Sequence, residues 1–240
     1  MPPRKPRKPA PAPQAPPAPE PPSTHPDVPR EARWRQPASV HQHTVRQVAE
    51  MVQTGKLRIP DFQRDFVWED DHVLYLLDSL LRGFYVGNVT LWEQYKLPAK
   101  TVNVAGIEAE GSDHGFLVVD GQQRIGSIAR ALLTKRYAFD FLTLKFVVAS
   151  EPRKDLVPLH ILHGAGVHAV LAGIKEDLWS AEQAGWLQDN LIYRQVCATV
   201  LPYGWEIGEV MEMFGRMNTT GVRMDAHEVE AALQKARKAA

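Results

Sequence analysis

Apolar residues recur at helical spacing in "HTVRQVAEMVQTG", where Val45, Val48, Ala49 and Val52 form one stripe. Thr44, three residues before Gln47, supplies a capping box, and Gly55 a stop, so the spacing predicts a helix between them. "LRIP" reads as a short strand that Pro60 ends. A second helix is predicted in "DDHVLYLLDSLLRG", with Val73, Leu74, Leu77, Leu80 and Leu81 on one face and Gly83 closing it. "NVTLWE" suits a strand, whereas Lys96 to Gly115 lacks periodicity and reads as a surface loop. "FLVVDGQQRIGSIARALL" changes period in the middle, from a strand-like run to a helical pattern at Asp120-Gly121. "YAFDFLTLKFVVA" is rich in β-branched and aromatic residues and reads as one bent strand or two. From about Pro158 the pattern is mainly helical, and no internal repeat is visible. Alternating short strands and helices with a helical tail predict an α+β or α/β chain with a small mixed sheet.

The first stretch, "MPPRKPRKPAPAPQAPPAPEPPSTHPDVPR", holds most of the prolines. It reads as an extended, disordered leader with polyproline character; the alternative makes Arg4, Lys5, Arg7 and Lys8 a weak, salt-sensitive contact to nucleic acid. It lacks the apolar segment of a secretory signal, and no uncharged run is long enough to span a bilayer. The folded part is predicted to begin near Val40. Formal net charge is zero over 240 residues, so an anion-binding function needs local clustering of charge. The single Cys197, in "LIYRQVCATVL", rules out an intrachain disulfide and reads as core filler in a reducing, cytoplasmic setting.

Chemistry concentrates at three places. If Val119 ends a strand and Gln122 starts a helix, the free N–H groups and the dipole of that helix favour an anion beyond the strand end. Gly121 lets the backbone approach a ligand closely, Arg124 can reach back to a phosphate, and Asp120 is either the N-cap or a carboxylate for a metal or water. Capping accounts for Asp120 and Gly121 but not for two amides and an arginine in one turn, so ligand site and capped turn both remain open. In "IPDFQRDFVWEDD", Gln63 and Arg64 sit among Phe62, Phe66 and Trp68, a mix that binds a phosphate and stacks a base. The alternative there is core aromatics with Arg64 paired to Asp61 or Asp65. "FGRMNTTGVRMDAHE" places Arg216, Asn218, Thr219, Thr220, Gly221 and Arg223 in a turn, with Asp225 and Glu228 capping a last helix. Neither arginine of that turn has an evident structural task. His160, His163 and His168 lack nearby carboxylates and a recognised ligand spacing, and His41 and His43 are weaker metal candidates still.

"IPDFQRDFVW", "LLDSLLRGFYVG", "VVDGQQRIGSIARAL" and "MFGRMNTTGVRMDAHEVEAAL", in that order from about Thr44 onward, resemble the N-terminal domain family of GmrSD-type restriction endonucleases. The resemblance implies a ParB/sulfiredoxin-like α+β fold: a small mixed sheet with packed helices over residues 40–157, followed by a mainly helical part, 158–240, that completes the pocket. The Pro-rich tail, 1–39, would precede both. It further implies a domain that binds a nucleoside triphosphate and, in several relatives, hydrolyses it to control DNA cleavage. By position, Asp120 and Arg124 would be catalytic. Gln63, Arg64, Gly121, Gln122, Gln123, Asn218 and Gly221 would bind the nucleotide, and magnesium would bridge the phosphates, with Asp120 as its protein ligand. No His/Asn/His nuclease arrangement follows the Asn218 turn, so the expected partners are nucleotide, DNA and a separate H-N-H nuclease. A non-catalytic DNA-binding or adaptor module of the same fold is the alternative; a self-sufficient nuclease ranks last, because no carboxylate cluster supports it.

Overall fold

Val45, Val48, Ala49 and Val52 line the buried face of α1 (Val45–Gln53), the stripe that the spacing predicts. The reciprocal cap is present: the Gln47 N–H donates to Thr44 Oγ1 at 3.1 Å and the Thr44 N–H to Gln47 Oε1 at 2.8 Å. The computed structural model describes residues 36–60, 63–97, 101–149, 154–163 and 167–219. The Pro-rich stretch, Asp61, Phe62, Gly221, Arg223 and the Asp225–Glu228 cap lie outside them. The unit that carries the fold begins at Pro37.

Before α1 runs β1 (Ser39–Thr44); after it come β2 (Leu57–Arg58), α2 (Asp70–Leu81), β3 (Val89–Gln94), β4 (Thr101–Val104) and β5 (Ile107–Glu110). β6 (Gly115–Asp120) leads into α3 (Gln122–Leu133), followed by β7 (Tyr137–Asp140), β8 (Lys145–Val148) and β9 (Leu156–Pro158). The rest is a 3-10 turn (Leu159–Leu162), α4 (Val167–Lys175), α5 (Ala181–Leu187) with a π turn (Gln188–Ile192), β10 (Gln195–Leu201) and α6 (Ile207–Thr219). The protein is α+β, as expected. Its main sheet is mixed, in the order β1-β10-β3-β6-β2, with β10 parallel to β3, β2 parallel to β6, and the other two pairs antiparallel. A smaller antiparallel sheet has the order β8-β7-β9.

Three findings differ from the sequence reading. The expected loop from Lys96 to Gly115 contains the β4–β5 hairpin, turned at Ala105 and Gly106 with φ of 55° and 87°. Both values suit a two-residue hairpin turn. Val102 and Val104 are buried and alternate with exposed Thr101 and Asn103, but four residues are too few for period two to stand out. The second difference is β10, a strand inside the mainly helical C-terminal part. Placed between β1 and β3, it gives the sheet residues from both sides of position 158. Its apolar run cannot be told from a buried helix by pattern alone; Cys197 within it is half-buried rather than core. Thirdly, Arg216, Asn218 and Thr219 fall on the last turn of α6 and not in a turn between helices.

The core explains where the site lies. α3 is buried nearly all round and packs on both α1 and α2, with Ile125, Ile128, Ala129 and Leu132 inside. Each of the buried Ile and Leu side chains stabilises the fold by about 1.5–3 kcal/mol. On β6, Val118 faces this core, whereas Val119 joins a second cluster with Trp92, Leu201 and Val210 on the other face. α6 packs there. The β6–α3 junction therefore opens where a sheet end, a buried helix start and α6 meet.

Candidate functional site

Gly121, not Asp120, is the N-cap of α3. Its φ of 92° lies in the left-handed region, and a Cβ on it would stand 2.5 Å from Val89 Cγ1, so both conformation and space require glycine. Asp120 is instead the last residue of β6, opposite Thr90. The consequence is chemical: no side chain caps the start of α3. Its first N–H groups and the positive end of its dipole are left for an anion.

The two glutamines have different tasks. Gln123 Oε1 accepts from the Val67 and Trp68 N–H groups at 3.0 and 3.1 Å, and its Nε2 donates to the Asp65 carbonyl at 3.1 Å. It clamps the 63–68 loop to α3. Gln63 does the same from the loop side, donating through Nε2 to the Val119 carbonyl at 2.6 Å. Gln122 is only 8% exposed, and its Oε1 has no hydrogen-bond partner among the described residues. A buried polar atom left so costs about 1–3 kcal/mol.

The arginines also divide. Arg124 donates through Nη1 to the Asn88 carbonyl at 2.6 Å and the Val86 carbonyl at 3.4 Å, and through Nη2 to Asp120 Oδ2 at 3.0 Å. Its guanidinium thus ties the helix start to the strand end and to the 86–88 loop. Arg64 is exposed and has neither hydrogen bond nor ion pair among the described residues. Of the two surface pairs expected as the alternative, the one with Asp65 is not formed, and Asp61 lies outside the described residues. Arg216 is explained by an i,i+4 ion pair with Glu212 on α6.

These residues converge on a cavity of about 530 Å³, lined by Gln63, Arg64, Trp68, Asp120, Gly121, Gln122, Gln123, Arg124 and Phe214. Seven of the nine residues expected at the site meet here: Asp120, Arg124, Gln63, Arg64, Gly121, Gln122 and Gln123. α6 reaches the cavity through Phe214, one turn before Asn218. The Asn218 side chain and Gly221 lie outside the described residues. Gln63, Arg64 and Gln122 also line a second cavity of about 720 Å³, walled by the β4–β5 turn, Phe66 and Arg130. Sequence reasoning missed Arg130 and the hairpin, because nothing in the pattern joins them to the motif. Phe66, read as a stacking ring, is packed: a Cβ on Gly126 would stand 2.6 Å from its Cδ2 and 2.8 Å from Ala105 Cβ.

Among the described residues no group of three His, Cys, Asp or Glu side chains could hold a metal ion. His160 and His163 belong to the fold: burial lowers both pKa values, and His163 Nε2 lies 3.0 Å from Gln53 Oε1. No described helix is long and apolar enough to cross a membrane.

Fold and cavity together define an α+β domain whose strand–helix junction suits an anionic ligand. The model of the GmrSD restriction endonuclease N-terminal domain matches residues 46–233, and the chain belongs to that family. That membership connects it with restriction of DNA. A similar protein is an uncharacterized protein of Methanocaldococcus jannaschii, 32% identical over 113 residues. The match covers 40% of this chain and 19% of that protein's length.

Proposed function

We propose that the protein is a nucleoside-triphosphate-binding regulatory domain of a DNA restriction system, acting with a separate nuclease. The observation that carries this reading is the uncapped start of α3 beside Arg64 and the buried Gln122 Oε1, neither of which has a partner among the described residues. Helix N–H groups favour phosphate oxygens, and a guanidinium adds a bidentate, charge-assisted contact. Rotation of the Gln122 amide exchanges its donor and acceptor ends, so it can serve either a phosphate oxygen or a ribose hydroxyl. Arg64 is the phosphate-binding arginine in this reading. Arg124 is a positioning residue, because its Nη atoms already serve Asp120 and two carbonyls.

Asp120 is the candidate for catalysis, orienting water through a carboxylate that Arg124 holds in place. Its side chain, 38% exposed at the cavity, fits magnesium, which is usually held by one or two carboxylates together with phosphate oxygens and water. Bound there, the ion would offset phosphate charge, as phosphoryl transfer requires.

The test is a thermal-shift screen of the nucleoside triphosphates with magnesium, paired with phosphate release. Binding should raise the melting temperature, and Arg64→Ala should weaken it by about tenfold or more while leaving the melting temperature of the free protein unchanged. Asp120→Asn should keep binding and lose turnover. No shift and no phosphate release with any triphosphate would end the proposal.

A further inference from the structure

The second cavity holds a cation that the motif residues do not account for. Arg130 leaves α3 eight residues after Gln122, about 12 Å further along the axis. Side chains of a helix lean toward its N-terminus, and both residues line the same space. The Arg130 guanidinium carbon lies 5.2 Å from the Phe66 ring centroid. That stacking fixes where the charge stands, yet the Arg130 guanidinium makes no hydrogen bond or ion pair among the described residues. Its charge reaches Asp70, whose pKa it helps to lower. The Asp70 carboxylate, however, is already occupied by Arg136 and the Tyr137 hydroxyl. Asp65 also lines the cavity, exposed and unpaired among the described residues. Two arginines and a buried amide thus face one space without an ion-pair partner among the described residues, and the half-buried Arg130 guanidinium, though stacked on Phe66, keeps N–H donors that an anion's oxygens would accept.

We infer that this cavity is a second phosphate-binding lobe, with Arg130 as a binding residue, and that the ligand is a polyphosphate lying across both lobes. The terminal phosphate sits at the start of α3 near Asp120. Inner phosphates lie against Arg64, which lines both lobes, and Arg130. The inference rests on the nucleotide reading above and adds to it the length of the anion.

Inorganic phosphate and inorganic tripolyphosphate are the probes, titrated into the full chain by calorimetry, with a single-stranded oligonucleotide as a third arm. Arg130→Met keeps an apolar stem over Phe66 and removes the charge; Arg130→Lys keeps the charge. Arg130→Met should weaken tripolyphosphate by about tenfold or more, Arg130→Lys should recover most of the loss, and inorganic phosphate should change less than about twofold in both. If the wild type binds tripolyphosphate and Arg130→Met binds it equally well, the second lobe is refuted while the nucleotide reading stands. Equal losses for phosphate and tripolyphosphate would also refute it, because Arg130 would then act only through the 63–68 loop. A loss confined to the oligonucleotide would assign the lobe to a nucleic-acid backbone and overturn the inference. If the wild type binds neither phosphate probe, the nucleotide reading fails and this one with it.

Discussion

Gln123, expected among the nucleotide-binding residues, has its amide engaged elsewhere in the structure. In the D-G-Q-Q-R string it stands with the ligand-binding residues, but its amide is spent on three backbone groups of the 63–68 loop. That loop carries Arg64. Gln123→Ala should therefore destabilise the protein by about 1–3 kcal/mol in urea denaturation, since buried loop groups lose their partners. It should also weaken nucleotide binding through misplacement of Arg64. A variant of unchanged stability would show that the clamp contributes nothing. Gln122, the residue before it, stands at the first helical position, and its buried Oε1 has no partner among the described residues.

At the scale of elements, α3 is the piece around which the site is built. It accepts the loop on one side because Gly126 leaves room for Phe66 and Ala105, the latter from the hairpin turn. Alanine at 126 would improve helix propensity by up to about 1 kcal/mol, yet its Cβ would meet the Phe66 ring and Ala105 well inside contact distance. The steric term wins. Gly126→Ala should cost about 1–3 kcal/mol, and in combination with Phe66→Ala the losses should fall short of their sum, because removal of the ring vacates most of the space. Denaturation of the two single variants and the double variant measures the coupling; strict additivity would contradict it.

For the whole molecule, three buried or half-buried histidines set an acid limit. Desolvation is the first cause lowering the pKa values of His43, His160 and His163 from the ordinary 6.5. Between those lowered values and 6.5 the unfolded chain binds protons that the folded chain does not. The stability they contribute is thus fully present above about pH 6.5 and is lost as pH falls below it. A second loss comes lower. Hydrogen bonds from Arg136, then Tyr137, hold the Asp70 carboxyl at about 2, against 3.8 ordinarily. Its contribution is present above about pH 4 and is lost as pH falls toward 2. Urea midpoints measured from pH 7.5 downward should show both declines. His163→Gln should reduce the first, and Asp70→Asn should remove most of the second.

The sequence alone determined the local elements and the chemistry of the central junction. The stripe and capping box of α1, the strand-to-helix change at Asp120-Gly121 and most residues of the first cavity's wall are legible, because period, caps and turn residues act over a few neighbours. Tertiary structure decided what each side chain does with its hydrogen bonds. It set Gln123 on the loop backbone, Arg124 on Asp120 and two carbonyls, and left Arg64 without a partner among the described residues. It also brought Arg130 and the β4–β5 turn to the same space, and inserted β10 into the sheet from far along the chain. Those outcomes depend on contacts between residues distant in sequence, such as Asn88 and Thr199, 111 positions apart, and Ser39 paired with Val200 across β1 and β10. No local pattern encodes which of two chemically similar amides will find a partner there.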